Sequence, residues 1–322
     1  MKAATINQAG EIPQYTEIDE PSVQNDQEVL VQIKAVAVKN LDKSKASGKH
    51  YSSEKTTKPV VVGTDGVGTL PNGQRIYGIG VNGTMAEQAI FLKDWTTAVP
   101  ENLDDSVAAA LPNAIMGSAM ALRFRAGLQV GETVLINGAT GITGKIAIQL
   151  ARQYGAGKII VTGRSEEVLQ SLPNLGADVL ISLNQDDDAF IEQLKGIHAL
   201  SPIHVVIDYL WSHPAEMILA ALKGKGTFSP KTRFVAVGAM AGDNITLSSQ
   251  VLRSIDLRLS GSGLGSWTKE EVKLLFSEIL PEAFQLAADQ KLKMEVATVQ
   301  IQDIEKAWDM EIAEGRRLVV TI

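Results

Sequence analysis

Gly138-Ala139-Thr140-Gly141-Ile142-Thr143-Gly144 carries the clearest chemical signal in the chain. Glycines at this spacing let a backbone come close to a charged group. If the turn also opens a helix, the helix N-terminus adds free N–H groups and a partial positive charge. That is the chemistry of a diphosphate cradle. A second signal follows about twenty residues on, where units selective for NAD place an acid against the ribose 2′-hydroxyl. Here that place reads Thr162-Gly163-Arg164-Ser165, and no acid comes before Glu166 and Glu167. Arg164 offers a fixed charge and a forked donor set suited to a 2′-phosphate, with Ser165 as a hydroxyl donor and Gly163 at its flank. Taken alone, Arg164 is a solvated loop residue; behind a glycine turn it points to NADPH.

The turn counts only if a strand precedes it and a helix follows. Residues 133–137, TVLIN, form an apolar run of the length of a buried parallel strand. Ile146, Ala147, Leu150, Ala151 and Tyr154 then fall on one helical face, Gly155 closes that helix, and residues 158–162 form a second apolar strand. Alternation continues to about residue 261. The further strands are expected at 179–183, 204–210, 233–238 and 256–260, and the helices at 166–172, 189–194, 214–222 and 248–254. Six strands with crossover helices predict an α/β, doubly wound parallel sheet. Ligands lie outside the C-terminal strand ends of such sheets. Gly238-Ala239-Met240 and Ser262-Gly263 are therefore candidates for the nicotinamide end, although the same residues suit plain loops.

The flanking sequence has a different character. Residues 1–115 read as short strands at 2–7, 28–38, 60–63, 66–69, 75–78 and 85–92, joined by glycine, proline and polar turns. This predicts a small β-rich barrel or sandwich. Residues 40–58 are polar and read as loop with one helical turn; Lys39, Asn40 and Tyr51 in this region are candidate hydrogen-bond donors. Each is equally readable as a solvated side chain, and His50 more so. Residues 106–110 and 114–124 are helical by composition, with Asn113 between them. Residues 269–290 predict an amphipathic helix interrupted at Pro281, followed by a strand at 296–299, a helix at 301–314 and a last strand at 317–322. The expected domains are 1–115 with 262–322, and 116–261.

Composition narrows the function. The net charge is −7 with acids and bases interspersed, which argues against a nucleic-acid or anionic-membrane surface. No apolar run reads as long enough to cross a membrane, and the N-terminus lacks the apolar stretch of a signal peptide, so a cytoplasmic protein is expected. There are no cysteines, which excludes disulfides, thiolate zinc sites and a cysteine nucleophile. None of the four histidines pairs with a carboxylate at metal-ligand spacing.

The order and spacing of several segments resemble the zinc-independent medium-chain dehydrogenase/reductases, the quinone oxidoreductase (zeta-crystallin-like) group. The residues are Val60-Val61-Val62-Gly63-Thr64-Asp65-Gly66-Val67-Gly68, Gly83-Thr84-Met85-Ala86-Glu87, Ala108-Ala109-Ala110-Leu111-Pro112, the run Gly131 to Gly141, and Leu175-Gly176-Ala177-Asp178. The resemblance implies a GroES-like catalytic domain beside the Rossmann domain and a homodimer through the last Rossmann strand. It also implies that Asn113 lies in a region touching nicotinamide, and that Tyr51 stands where relatives line the substrate pocket with a tyrosine. Zinc-dependent relatives carry a cysteine and a histidine where this chain has Lys39 and Thr64. Many quinone reductases carry an asparagine three residues before the aspartate matching Asp42; here Lys39 stands there, with Asn40 beside it.

Without a Lewis acid, a hydride acceptor must spread the arriving charge itself. Quinones and α,β-unsaturated carbonyls do so. They need hydride delivery, a donor for the oxygen and a proton. The expected function is thus an NADPH-dependent reductase of small-molecule quinones or enones, with no metal. Two alternatives stand: a catalytically silent NADPH-binding or sensing protein of the same fold, and a dehydrogenase with an unforeseen metal site. A short-chain reductase fits less well, because well over a hundred residues precede the glycine turn.

Overall fold

The computed structural model describes residues 1–48, 59–224 and 229–322. Two compact units emerge. Met1–Asn113 and Val272–Ile322 form the first, and Ala114–Glu271 the second. Residues 262–271, expected with the β-rich part, lie in the second unit. There Arg125 donates to the Ser266 carbonyl at 2.8 Å and pairs with Glu271.

The first unit opens with β1 (Lys2–Ile6), β2 (Gln14–Glu17), β3 (Glu28–Ala37), β4 (Val60–Val61), β5 (Asp65–Thr69), β6 (Arg75–Gly80) and β7 (Gln88–Ala98). β3 pairs with both β5 and β7, and β6 joins those two, so the ladder closes on itself as a small barrel. Alternation along β3 sends Val31 and Ile33 inward, where they join Phe91 and Met85 in the core. β2 was not expected. Its residues, QYTE, are polar, and pairing with β1 rather than any apolar pattern makes it a strand.

The second unit contains β8 (Thr133–Asn137), β9 (Lys158–Gly163), β10 (Val179–Ser182), β11 (Ile203–Asp208), β12 (Thr232–Ala236) and β13 (Leu257–Gly261). All pair in parallel, in the order β10-β9-β8-β11-β12-β13. This is the doubly wound α/β sheet expected from the sequence. The order reverses between β8 and β11, the switch point at which such sheets open a crevice. The chain then returns to the first unit with β14 (Glu295–Gln300) and β15 (Arg316–Thr321), the latter antiparallel to β3.

Three helical expectations are corrected. The segment around Asn113 is one helix, Asp105–Met120, running into a π turn at Ala121–Ala126. Alanine-rich flanks carry it through Pro112, so Asn113 lies within a helix rather than between two. By length and composition Asp105–Ala126 could cross a membrane, contrary to the sequence expectation; 67% of its apolar window is buried inside the protein. The interruption of the later helix lies just before Pro281 rather than at it. The proline falls in the first turn of Leu280–Ala288, just after a π segment at Leu275–Ile279, where its missing N–H is tolerated. The helix expected at 301–314 ends at Ala307. Asp309, Glu311 and Glu314 would have crowded its C-terminal half, where the helix dipole disfavours negative charge.

Candidate active site

In the second unit, the glycine turn joins β8 to the helix Ile142–Gln153. Gly138 takes φ +84, and a Cβ there would strike Leu210. Gly144 is the tightest position: a Cβ would lie 2.5 Å from the Ala139 Cα and 2.7 Å from the Gly138 carbonyl oxygen. Gly141 is the N-cap and has no side chain to cap with, so no cap side chain takes up the first-turn amides of Ile142, Thr143 and Gly144. Ala139 is held to β9 through its N–H on the Thr162 carbonyl at 2.8 Å, while Thr140 fills the space left by Gly163. Beneath the turn, Ser118 donates its hydroxyl to the Thr143 carbonyl at 3.1 Å and also meets the Tyr209 hydroxyl at 3.1 Å.

At the end of β9, Arg164 is exposed. Its carbonyl accepts the Asn184 side-chain amide at 2.6 Å, which fixes the backbone and leaves the guanidinium in water. The Ser165 hydroxyl caps the next helix by accepting the Val168 N–H at 3.4 Å. No acid stands at the strand end; Glu166 and Glu167 begin the helix and are exposed.

The loops after β11, β12 and β13 lie side by side. The N–H groups of Val237 and Gly238 reach the Asp208 carbonyl, and those of Met240 and Ala241 reach the carbonyls of Tyr209 and Leu210. A Cβ on Gly238 would come within 2.7 Å of the Tyr209 oxygen. Ala239 and Met240 continue this loop, and Met240 is 70% exposed. Ser262 is buried, with its hydroxyl accepting the Trp267 indole N–H at 3.2 Å; Gly263 donates its N–H to the Ser266 hydroxyl at 3.0 Å. The second-unit candidates thus gather at the C-terminal edge of the parallel sheet.

In the first unit, Lys39 is 2% exposed and faces inward. Its ammonium contacts Asp65 at 2.6 Å, Asp42 at 3.1 Å and the Ala37 carbonyl at 3.2 Å. Those three acceptors match its three hydrogens, so none remains for a substrate. Burial pulls the Lys39 pKa down, but Asp42 and Asp65 outweigh it and lift it above the ordinary value. Thr64 donates to Asp42 at 2.7 Å and Tyr77 to Asp65 at 3.0 Å. Burial, then the charge of Asp65, holds the Tyr77 phenol well above its usual range. Asn40 is exposed at the start of the helix Asn40–Ala46. Tyr51, like His50, lies outside the described residues.

Two site features escaped sequence reading. One is the Lys39–Asp42–Asp65–Tyr77 network, of which only the Lys39–Asp42 pair is local in sequence. The other is Arg317 on β15, 8% exposed, which donates to the Asn113 side-chain oxygen at 3.4 Å and whose Nε finds no partner among the described residues. Burial pulls its pKa down, opposed by Asp42 and Asp65. Among the described residues, no group of three or more His, Asp or Glu side chains is placed to hold a metal ion.

Comparison with known proteins agrees with this architecture. Residues 143–280 match a family model described as zinc-binding dehydrogenase. A probable NADPH-dependent quinone reductase of Emericella nidulans is 26% identical over 351 residues, spanning 96% of each chain. A mitochondrial enoyl-[acyl-carrier-protein] reductase of Arabidopsis thaliana is 31% identical over 194 residues, covering 59% of this chain and 50% of that one. The Escherichia coli quinone oxidoreductase, solved with NADPH, superposes with a TM-score of 0.82 at 21% identity over all of both chains, a likeness of fold.

Proposed function

We propose that the chain, which is similar to the quinone oxidoreductase group of the medium-chain dehydrogenase/reductases, is an NADPH-dependent reductase of conjugated acceptors, quinones or α,β-unsaturated carbonyl compounds. The observation that carries this reading is the β8 turn with its neighbour on β9. Gly144 and Gly138 stand where any side chain would collide, the helix N-terminus has no side-chain cap, and Arg164 is exposed where an acid would favour NAD. These residues fit NADPH: amides for the diphosphate, a guanidinium for the 2′-phosphate.

NADPH, when bound, supplies the hydride. The protein's part is to hold and screen it. The turn residues Ala139, Thr140, Gly141, Ile142, Thr143 and Gly144 cradle the diphosphate, with Gly163, Arg164 and Ser165 at the adenosine end. Gly238, Ala239, Met240, Ser262 and Gly263 attend the nicotinamide end. Lys39 keeps its hydrogens for Asp42, Asp65 and Ala37, which leaves Asn40 and Tyr51 as the candidate donors to the acceptor oxygen. A conjugated acceptor suits such a site, because it disperses the incoming charge onto that oxygen. The Emericella and Arabidopsis relatives, a quinone reductase and an enoyl reductase by name, support the two acceptor classes.

Loss of NADPH absorbance with a panel of quinones and enals tests this. Turnover with either class supports the reading. Tight NADPH binding with no turnover would make the chain a silent binding protein instead. The same reading gives a homodimer through β13, an edge strand whose Leu259 is 36% exposed; sedimentation velocity should show a dimer that Leu259→Lys converts to monomer.

A further inference from the structure

Residues at the C-terminal ends of β9, β8 and β11 form a buried polar row. Thr162 on β9, Asn137 on β8 and Asp208 on β11 stand in register and are each 0% exposed. Thr162 donates its hydroxyl to the Asn137 side-chain oxygen at 2.5 Å, and the Asn137 amide donates to Asp208 at 2.7 Å. Apolar residues would fill these places at lower cost, since a buried polar row must be fully satisfied. This one is, and it spans the switch point.

Asp208 also holds the loop that follows it. Its carboxylate accepts the N–H of Leu210 at 3.0 Å, and both of its oxygens accept that of Trp211, at 3.2 and 3.1 Å. Trp211 and Ser212 take φ +57 and +51, a backbone that non-glycine residues seldom adopt and that persists only where neighbours impose it. Every partner of the carboxylate is a neutral donor, and among the described residues no cation pairs with it. Burial raises the Asp208 pKa above its ordinary value, opposed by the Leu210 N–H, the Asn137 amide and the Trp211 N–H, donors that suit the ionised form of an acceptor-only group. When ionised, Asp208 is a buried negative charge with no cation paired to it among the described residues.

Its position says what could. In a doubly wound sheet the adenosine lies over the second strand and the diphosphate over the first, so the nicotinamide half lies over the fourth. Here those strands are β9, β8 and β11. We propose that Asp208, oriented by Asn137, acts electrostatically on the nicotinamide: it favours the oxidised, positively charged ring over the neutral reduced one. As the hydride leaves with its electron pair for the acceptor, the ring gains one positive charge, and Asp208 stabilises that charge without transferring a proton. The inference rests on the dinucleotide reading above.

The test compares dissociation constants of NADP⁺ and NADPH by titration calorimetry. Asp208→Asn should weaken NADP⁺ relative to NADPH on the order of tenfold, as a unit charge acting through about 10 Å of protein would. The exchange Asn137→Asp with Asp208→Asn keeps the hydrogen-bonded pair but moves the charge to β8, about 5 Å away; it should show a loss of preference in the same direction but smaller. Parallel loss of both affinities, or an unchanged ratio in both variants, overturns the proposal. If neither variant folds, the wild-type ratio decides: NADP⁺ bound more weakly than NADPH overturns it, and equal or tighter binding supports it. If the wild-type protein binds neither form, the dinucleotide reading itself has failed.

Discussion

Gly144 and Ala139 approach so closely that a single methyl cannot fit between them: a Cβ on Gly144 would lie 2.5 Å from the Ala139 Cα. The helix N-terminus is thereby pressed against the turn with no side-chain cap on its first-turn amides, the geometry on which the proposed diphosphate cradle rests. Gly144→Ala should push the turn outward. NADPH affinity should fall about tenfold or more, the equivalent of about 1.4 kcal/mol, while circular dichroism stays unchanged. Unaltered affinity in calorimetry would show that the turn does not hold the cofactor.

Lys39 should behave as a structural cation. Lys39→Met leaves Asp42 and Asp65 buried without their partner, a loss of about 3–5 kcal/mol, readable as a lower urea midpoint. A stable variant with only its turnover reduced would instead make Lys39 a substrate contact. The pH dependence has a definite sign. The folded pKa is raised above 10.5, so the contribution is complete below 10.5 and disappears as pH rises through the folded value.

His198 governs part of the acid side. Its Nδ1 accepts the Ile203 N–H at 3.0 Å, which requires a neutral ring. Burial, then the neighbouring His204, lowers its pKa from 6.5. As pH falls below 6.5 the unfolded chain takes up a proton that the folded one refuses, and stability declines until the folded pKa is passed. His198→Gln should flatten the fall in urea midpoint between about pH 7 and about pH 5. An equally steep profile in the variant would remove His198 from the account.

The parts of the fold readable from sequence are those where neighbours in sequence are neighbours in chemistry. The run TVLIN, the glycine turn and the acid-free end of β9 are contiguous, and periodicity reports them directly. Lys39 and Asp42 lie three residues apart, but only strand pairing brings Asp65 and Tyr77 to them. Lys39 reads as a solvated lysine because the second carboxylate, Asp65, is far away in sequence. Asp208 closes β11, but its pairing with Asn137 depends on strand order, and strand order is not periodic. Pro281 misleads in the other direction: proline breaks a helix interior, yet here it opens a new turn behind a π segment.

Cofactor choice is the most direct test of the whole account. kcat/KM for NADPH and for NADH should be measured with one acceptor, in the wild-type protein and in Arg164→Ala. A strong NADPH preference is expected in the wild type, largely lost in the variant through a higher KM for NADPH, with kcat and the NADH constants little changed. An unchanged ratio, or no NADPH oxidation by the wild-type protein with any quinone or enal, would contradict it.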